Sequence, residues 1–318
     1  MQEDTNMKQL DLGKTGFFVP EIALGCMRMA DLSIDTAAEV LQTAMEVGVN
    51  FFDHANIYGG GLSEEMFAKA ARKLGVARQD MILQTKCGIR RADETQHITT
   101  YDFSKDHIIA SVEGSLKRLQ TDYIDLLALH RPDTLMEPEE VAEALDALYK
   151  SGKVRYFGVS NQNQEQMKLL EAYTDHKFVT NQLQFGLVHT GMVDIGFHVN
   201  MKTPQSVDHD GGILEYSRRK GVTIQAWSPY RAEVVGPVFI DNPDYPAVNA
   251  KLAEYAEQHG VTKDTIATAW ILRHPAKMQV ITGSMNPERI RQIAKAAEVC
   301  LSRTEWYDLY LSAGNMLP

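Results

Sequence analysis

Residues 124–129 read Ile-Asp-Leu-Leu-Ala-Leu, and the chain turns polar at once with His130-Arg131-Pro132-Asp133. A strand with one wet face alternates apolar and polar side chains. A nearly unbroken apolar run is what a parallel sheet covered on both faces requires. The polar residues that follow then sit at the C-terminal end of the strand. Upstream, Ile108, Val112, Leu116 and Leu119 recur at helical spacing. Downstream, Pro138 opens a second helical pattern carrying Val141, Leu145 and Leu148, which closes near Gly152.

This unit of buried strand and amphipathic helix repeats. Short apolar runs occur at 21–25, 49–53, 81–86, 124–129, 154–159, 178–181, 222–227 and 278–282. The helical pattern after the first run carries Val40, Ala44 and Val47, with a capping-box spacing at Thr36 and Glu39 and Gly48 as its C-terminal stop. Others centre on Met167 and Leu170 and on Leu214, and Asn286 with Pro287 opens the closing one. Eight strand–helix repeats favour a closed (β/α)8 TIM barrel over an open sheet. No Gly-x-Gly-x-x-Gly follows any strand, which argues against a Rossmann domain. Residues 7–20 precede the repeats and read as a β-hairpin turned at Gly13 to Gly16, placed to plug the barrel bottom. Two long connections, 184–207 and 228–247, leave strand C-terminal ends, the face on which such barrels carry chemistry.

Length fits this reading. A chain of 318 residues suggests roughly two domains by size alone, but barrels of this kind run past 250 residues as one unit, so residues 1–318 are read as a single barrel domain. Hydrophobic residues make up 44% and charged residues 23%, and no apolar run approaches the ~20 needed to span a bilayer, so a membrane protein is not expected. The net charge of −10 repels phosphate backbones and argues against general nucleic-acid binding. Cys26, Cys87 and Cys300 are too few and too scattered for a disulfide framework or a zinc cluster, and read as reduced thiols of a cytoplasmic protein. The acidic start, Met1 to Asp4, is unlike a signal peptide.

Polar side chains gather where the strands end: Asp53 and Tyr58, Lys86, His130, Ser160 with Asn161, Gln182, Trp227 to Tyr230, and Gly283 with Ser284. Each alone reads as a cap, a solvated charge or a packed ring. Together they form a chemistry. An ammonium about 4 Å from a phenol favours phenolate by up to ~4 kcal/mol at an effective dielectric near 20, or about three pKa units. That would make Tyr58 a proton donor near neutral pH. Asp53 would hold Lys86 charged and aimed, and His130 could orient a carbonyl oxygen. Such a site protonates a developing alkoxide but holds no reductant, so a cofactor must supply it. His54 follows Asp53 directly and should face the opposite way, toward the helices, in a structural role.

The runs Phe52-Asp53-His54-Ala55-Asn56-Ile57-Tyr58-Gly59, the strand ending in Lys86, Leu129 to Asp133, Gly152 to Asn161, Asn181-Gln182, Trp227-Ser228-Pro229 and Gly283 to Arg289 resemble the aldo-keto reductase superfamily. The Asp-His-Ala start of the second-strand motif is most similar to bacterial YdhF-like oxidoreductases. The resemblance spans essentially the whole chain. It implies an NADP(H)-dependent reductase of aldehydes or ketones with Asp53, Tyr58, Lys86 and His130 as the catalytic four. It further implies that Ser160, Asn161 and Gln182 hold the nicotinamide carboxamide. Trp227 would stack on the nicotinamide ring, and Ser228, Pro229 and Tyr230 would follow the pyrophosphate. Ser284 and Arg289 would take the 2′-phosphate. Two departures bear on the adenosine end: Gly283 stands where many members have Lys, and Gln292-Ile293 where Glu-Asn is common.

Two other functions fit parts of the pattern. A metal-dependent hydrolase could use Asp53, His54, His130 and His189, but neighbours on a strand face apart and no His-x-His spacing occurs. A cofactor-sensing binding protein would need a partner-binding helix or tail, and none stands out. Substrate contacts are expected from Met27, Arg28, Ile89, Arg90, Arg131, Trp306 and Tyr307, a mixture open to phosphate, carboxylate or aromatic carbonyls. The pattern carries no reading of oligomeric state.

Overall fold

Eight parallel strands close on themselves in the computed structural model, which describes residues 7–92, 97–233 and 236–318. The expectation for Met1 to Asp4 lies outside the described residues. A hairpin of β1 (Gln9–Asp11) and β2 (Phe18–Pro20) comes first. The barrel strands are β3 (Ile22–Gly25), β4 (Phe51–Asp53), β5 (Ile82–Cys87), β8 (Ile124–Leu129), β9 (Val154–Ser160), β10 (Phe178–Gln184), β11 (Thr223–Trp227) and β12 (Gln279–Thr282). A second small hairpin, β6 (Ile89–Arg90) with β7 (Thr100–Tyr101), rises after β5. The ring closes where β12 pairs with β3 at Ile281 and Ala23.

Helices α1 (Ile34–Glu46), α2 (Leu62–Leu74), α3 (Lys105–Leu119), α4 (Pro138–Lys150), α5 (Gln164–Glu171) and α7 (Ile213–Lys220) separate successive barrel strands. The long connection after β10 contains a short helix, α6 (Gly191–Phe197). Two helices, α8 (Pro246–His259) and α9 (Lys263–Leu272), stand between β11 and β12. The pattern reading gave one helix to each strand, so α6 and the second helix of this pair are additional. After β12 come α10 (Pro287–Ala294) and α11 (Arg303–Ser312). The start of α1 also differs from expectation. Ser33 caps it, accepting from the Thr36 amide, and the Thr36 hydroxyl is bonded to Ser33, so the spacing from Thr36 to Glu39 lies inside the helix.

The run that opens the sequence argument shows both faces of the sheet. Leu126 and Ala128 point into the barrel with the plug, and Leu127 and Leu129 pack outward under the helices. Asp125 is the exception, buried at the foot of β8. It accepts from Arg78 at 2.7 Å, Arg155 at 3.0 Å and the Leu83 amide at 2.9 Å. The hairpin plugs the barrel as expected: Leu10, Leu12 and Val19 join Ala23, Phe51, Val179 and Ile281 in one inner cluster. Gly13 makes the close approach. Its φ is +62°, its amide donates to Thr223 Oγ1 at 2.9 Å, and a Cβ there would lie 2.5 Å from that of Val179.

Candidate active site

Asp53 ends β4, and the chain then turns through a short helical segment that begins at Tyr58. Lys86 lies on the neighbouring strand β5 and is fully buried. Its ammonium donates to the Asp53 carboxylate at 2.8 Å, to the His54 carbonyl at 2.9 Å and to the Tyr58 phenol at 3.1 Å. All three hydrogens of the ammonium are therefore assigned, and its one ion-pair partner is Asp53. Burial works against the charge on Lys86, but Asp53 and Tyr58 outweigh it, so the amine stays protonated more firmly than an ordinary lysine.

Tyr58 behaves differently from expectation. Burial pushes its phenol up, Lys86 pulls it down, and Asp53 pushes it up again, so the net direction is above an ordinary tyrosine. A facing ammonium alone would lower it. Desolvation and the carboxylate behind the lysine reverse the sign. The site as folded keeps the phenol protonated.

His130, just past β8, faces Tyr58 edge-on with ring centres 6.0 Å apart. Burial, with Lys86 and Arg131 nearby, pushes its imidazole down to about 2. It is thus a neutral hydrogen-bonding group. His54 points the other way and packs edge-on against Phe67 of α2 at 4.6 Å, as strand alternation requires.

A cavity of about 360 Å³ opens above these groups. Asp53, Tyr58, His130, Ser160, Asn161, Gln182, Trp227, Ser228, Pro229, Tyr230 and Gly283 all line it. Asn161 is fixed by its neighbours: its amide donates to Ser160 Oγ at 2.8 Å, and its oxygen accepts from the Trp227 indole at 3.1 Å. Tyr230 is buried and its hydroxyl is bonded to Thr268 at 2.6 Å. Ser284 and Arg289 line an adjoining pocket with Arg28, Tyr230 and Gly283. The expected cofactor residues therefore lie along one trough.

A model of the aldo/keto reductase family matches residues 21–310. The chain belongs to the aldo/keto reductase family. The oxidoreductase YdhF of Escherichia coli (strain K12) is 32% identical over 96% of this chain and 98% of its own length. A 6-dehydroglucose reductase of Agrobacterium fabrum is 34% identical over 92% of this chain and 93% of its own. A crystal structure of an aldo/keto reductase from Klebsiella pneumoniae in complex with NADP and acetate superposes with a TM-score of 0.75 at 25% identity, covering 95% and 94% of the two chains. Membership places this aldo/keto reductase among the oxidoreductases and agrees with the barrel.

Some expected positions fall elsewhere. Trp306 stacks on Trp270 with ring centres 4.7 Å apart, and with Tyr307 it lines a different cavity, beside Phe197 and Arg303. Arg90 lies in β6 near Asp102, and Arg91 reaches the main cavity instead. Met27, Arg28, Ile89 and Arg131 do line it. Arg289 does not swing free: its guanidinium pairs with Asp264 of α9 at 2.7 Å. Arg28 bonds the Gly283 carbonyl at 2.6 Å, a contact that sequence alone did not suggest. Three glutamines below Asp53 were also missed: Gln84, Gln225 and Gln279, each fully buried. The available signal was a polar run, Gln84-Thr85-Lys86, on a strand whose residues are all buried or nearly so. Among the described residues, no group of His, Cys, Asp or Glu is arranged to hold a metal ion, and no helix is long and apolar enough to cross a membrane.

Proposed function

We propose that this aldo/keto reductase, as one unit over residues 1–318, uses NADPH to reduce an aldehyde or ketone to an alcohol, with Tyr58 as the proton donor. The observation that carries the reading is the Lys86 ammonium. It is shared between Asp53 and the Tyr58 phenol at the floor of a cavity large enough for a small carbonyl compound.

The trough suits the dinucleotide. Its inner end offers amide and hydroxyl groups on Ser160, Asn161 and Gln182 beside the flat Trp227 ring. Its outer end is basic: Arg28 is lowered from an ordinary arginine by burial and by the facing Arg231 and Arg289, so three guanidiniums converge where an anion would compensate them. In the family the bound dinucleotide supplies a hydride to the carbonyl carbon. This chain's own groups do the rest. His130, neutral, donates to the carbonyl oxygen and aligns it with the phenol. Tyr58 gives its proton to that oxygen as charge develops, and the nearby ammonium stabilises the phenolate left behind.

The substrate class we favour is a hydroxylated carbonyl compound. A second cavity of about 400 Å³ adjoins the first across Arg131, Asn161 and Trp227. Gln162, Gln166, Gln184, His189 and Asp210 line it, with Arg131 where it meets the first cavity. Amides match hydroxyls because both donate and accept. The 6-dehydroglucose reductases among the relatives act on such a compound. Three free cysteines agree with a reducing cytoplasm.

The test is turnover of NADPH with a panel of aldehydes and ketones by the unmutated protein and by Tyr58→Phe. The variant should bind NADPH as before and lose most of its reduction. A Tyr58→Phe protein that reduces a good substrate at the unmutated rate overturns the assignment. Equal kcat/KM for hydroxylated and alkyl aldehydes of one length overturns the substrate class.

A further inference from the structure

We propose that Gln84, held in place by Gln225, is a positioning residue for carbonyl reduction. It fixes the Asp53 carboxylate so that the Lys86 ammonium remains shared with the Tyr58 phenol. The proposal rests on the reading of Tyr58 as proton donor and extends the machinery one layer into the barrel.

The interior of such a barrel is ordinarily filled with branched apolar side chains. Here the layer beneath Asp53 is built of amides. Gln84 donates to Asp53 Oδ1 at 2.5 Å, and Gln182 donates to the same oxygen at 3.1 Å. Gln225 donates to the Gln84 oxygen at 2.9 Å and to the Gln279 oxygen at 2.8 Å. Gln279 donates in turn to the Pro20 carbonyl, at the end of the plug, at 2.7 Å. Strand register explains the cluster: Asp53 is level with Gln84, Gln182 with Gln225, and Gln225 with Gln279.

The direction of these bonds carries the argument. An amide can present either its oxygen or its nitrogen. Because Gln225 donates into the Gln84 oxygen, the Gln84 nitrogen must face Asp53. The carboxylate therefore meets two amide donors as well as the ammonium. Bonds to a charged group are the strong ones, and a buried chain of them strengthens its members. Without Gln84, more of the Asp53 charge would fall on Lys86 and Tyr58. Lys86 would lean toward the carboxylate, and the phenol would release its proton less readily.

A pH profile can report this, because few other groups near Tyr58 and Lys86 titrate. They are Cys26 after β3, His54 beside Asp53, and His130 and Arg131 after β8. Burial pushes the Cys26 thiol well above its ordinary value and the His54 imidazole down to about 3, and His130 is neutral as described. The limb governed by phenolate, which rises with pH in the alcohol-oxidation direction, therefore belongs to Tyr58 with Lys86.

The experiment compares the pH dependence of alcohol oxidation and carbonyl reduction in Gln84→Leu, Gln225→Met and the double variant, with thermal melts to confirm folding. Gln84→Leu should lower kcat about tenfold and move the oxidation limb up by about one unit, the size of one hydrogen bond to a charged group. Gln225→Met, which does not touch Asp53, should move it the same way by less. The double variant should fall well short of the sum of the two single shifts, because Gln225 acts mainly through Gln84, its other link to Asp53 being the longer bond it accepts from Gln182 at 3.3 Å. If Gln84→Leu does not fold, Gln225→Met decides. A limb that stays in place in the folded variants, whether or not kcat falls, overturns the positioning role. Tyr58→Phe is run alongside: if it remains active, the reading beneath the proposal fails instead.

Discussion

Arg28 donates to the carbonyl oxygen of Gly283 at 2.6 Å, and a Cβ added to Gly283 would come within 3.2 Å of the same guanidinium. A cation from the loop after β3 thus stands against Gly283 on the loop after β12. With Arg289 it brackets the pocket that also holds Ser284. Two guanidiniums from opposite ends of the chain therefore face one pocket.

Cofactor preference should follow from that arrangement. Arg289 is oriented by Asp264 rather than free, and the pair lies at the start of α10, where Asn286 caps the helix and accepts from the Arg289 amide. A guanidinium can grip a phosphate in two bonds, and a helix N-terminus favours an anion. One charged hydrogen bond contributes ~1.5–3 kcal/mol, so NADPH should bind roughly ten- to a hundredfold more tightly than NADH. Arg28→Ala and Arg289→Ala should each cost NADPH about tenfold or more and leave NADH nearly unchanged. Dissociation constants from fluorescence quenching at fixed ionic strength check this. Equal values for the two cofactors in the unmutated protein would refute it.

Lys86→Met should raise the apparent pKa of the phenol-governed limb and depress kcat. Burial, Asp53 and Cys26 push Tyr58 up, and Lys86 pulls it down. Removing the amine removes that pull together with the hydrogen bond at 3.1 Å. The same change leaves Asp53 buried without its cation, and breaking a buried pair costs about 3–5 kcal/mol. Urea unfolding should show the loss of stability and the pH–rate profile the shift. A profile identical to that of the unmutated protein would separate Lys86 from proton transfer.

The barrel was legible because parallel strands covered on both faces must be apolar along their length, and the helices between them repeat at a fixed spacing. The four groups Asp53, Tyr58, Lys86 and His130 were legible as the polar residues at strand tips. What the pattern missed depends on partners far apart in the chain. Gln84 meets Gln225, 141 residues later, and Arg28 meets Gly283, 255 residues later. The sign of the Tyr58 shift was missed for a related reason. A pairwise estimate with Lys86 leaves out burial, which is a property of the folded surroundings. Trp306 and Tyr307 were misplaced because α11 packs on the outer helices instead of reaching the trough.

His54 provides a stability test that leaves the site's contacts in place. Its ring is fully buried, packs on Phe67 at 4.6 Å, and has neither nitrogen hydrogen-bonded among the described residues. Burial, with Lys86 nearby, lowers its pKa from 6.5 to about 3. Below pH 6.5 the unfolded chain takes up a proton at this residue and the folded chain does not. Stability from this group is therefore complete above that pH and drains away as pH falls toward 3. Between pH 7 and pH 5 the loss amounts to about 2 kcal/mol for one such histidine. His130, lowered to about 2, adds a loss of the same sign. His54→Leu fills similar space with no titrating group, and the bond from Lys86 to residue 54 survives because it uses the backbone carbonyl. Urea midpoints at pH 7 and pH 5 should therefore lie closer together in His54→Leu, by about 2 kcal/mol in unfolding free energy, with kcat little changed. Equal acid sensitivity in the two proteins would mean that residue 54 is not held neutral in the fold.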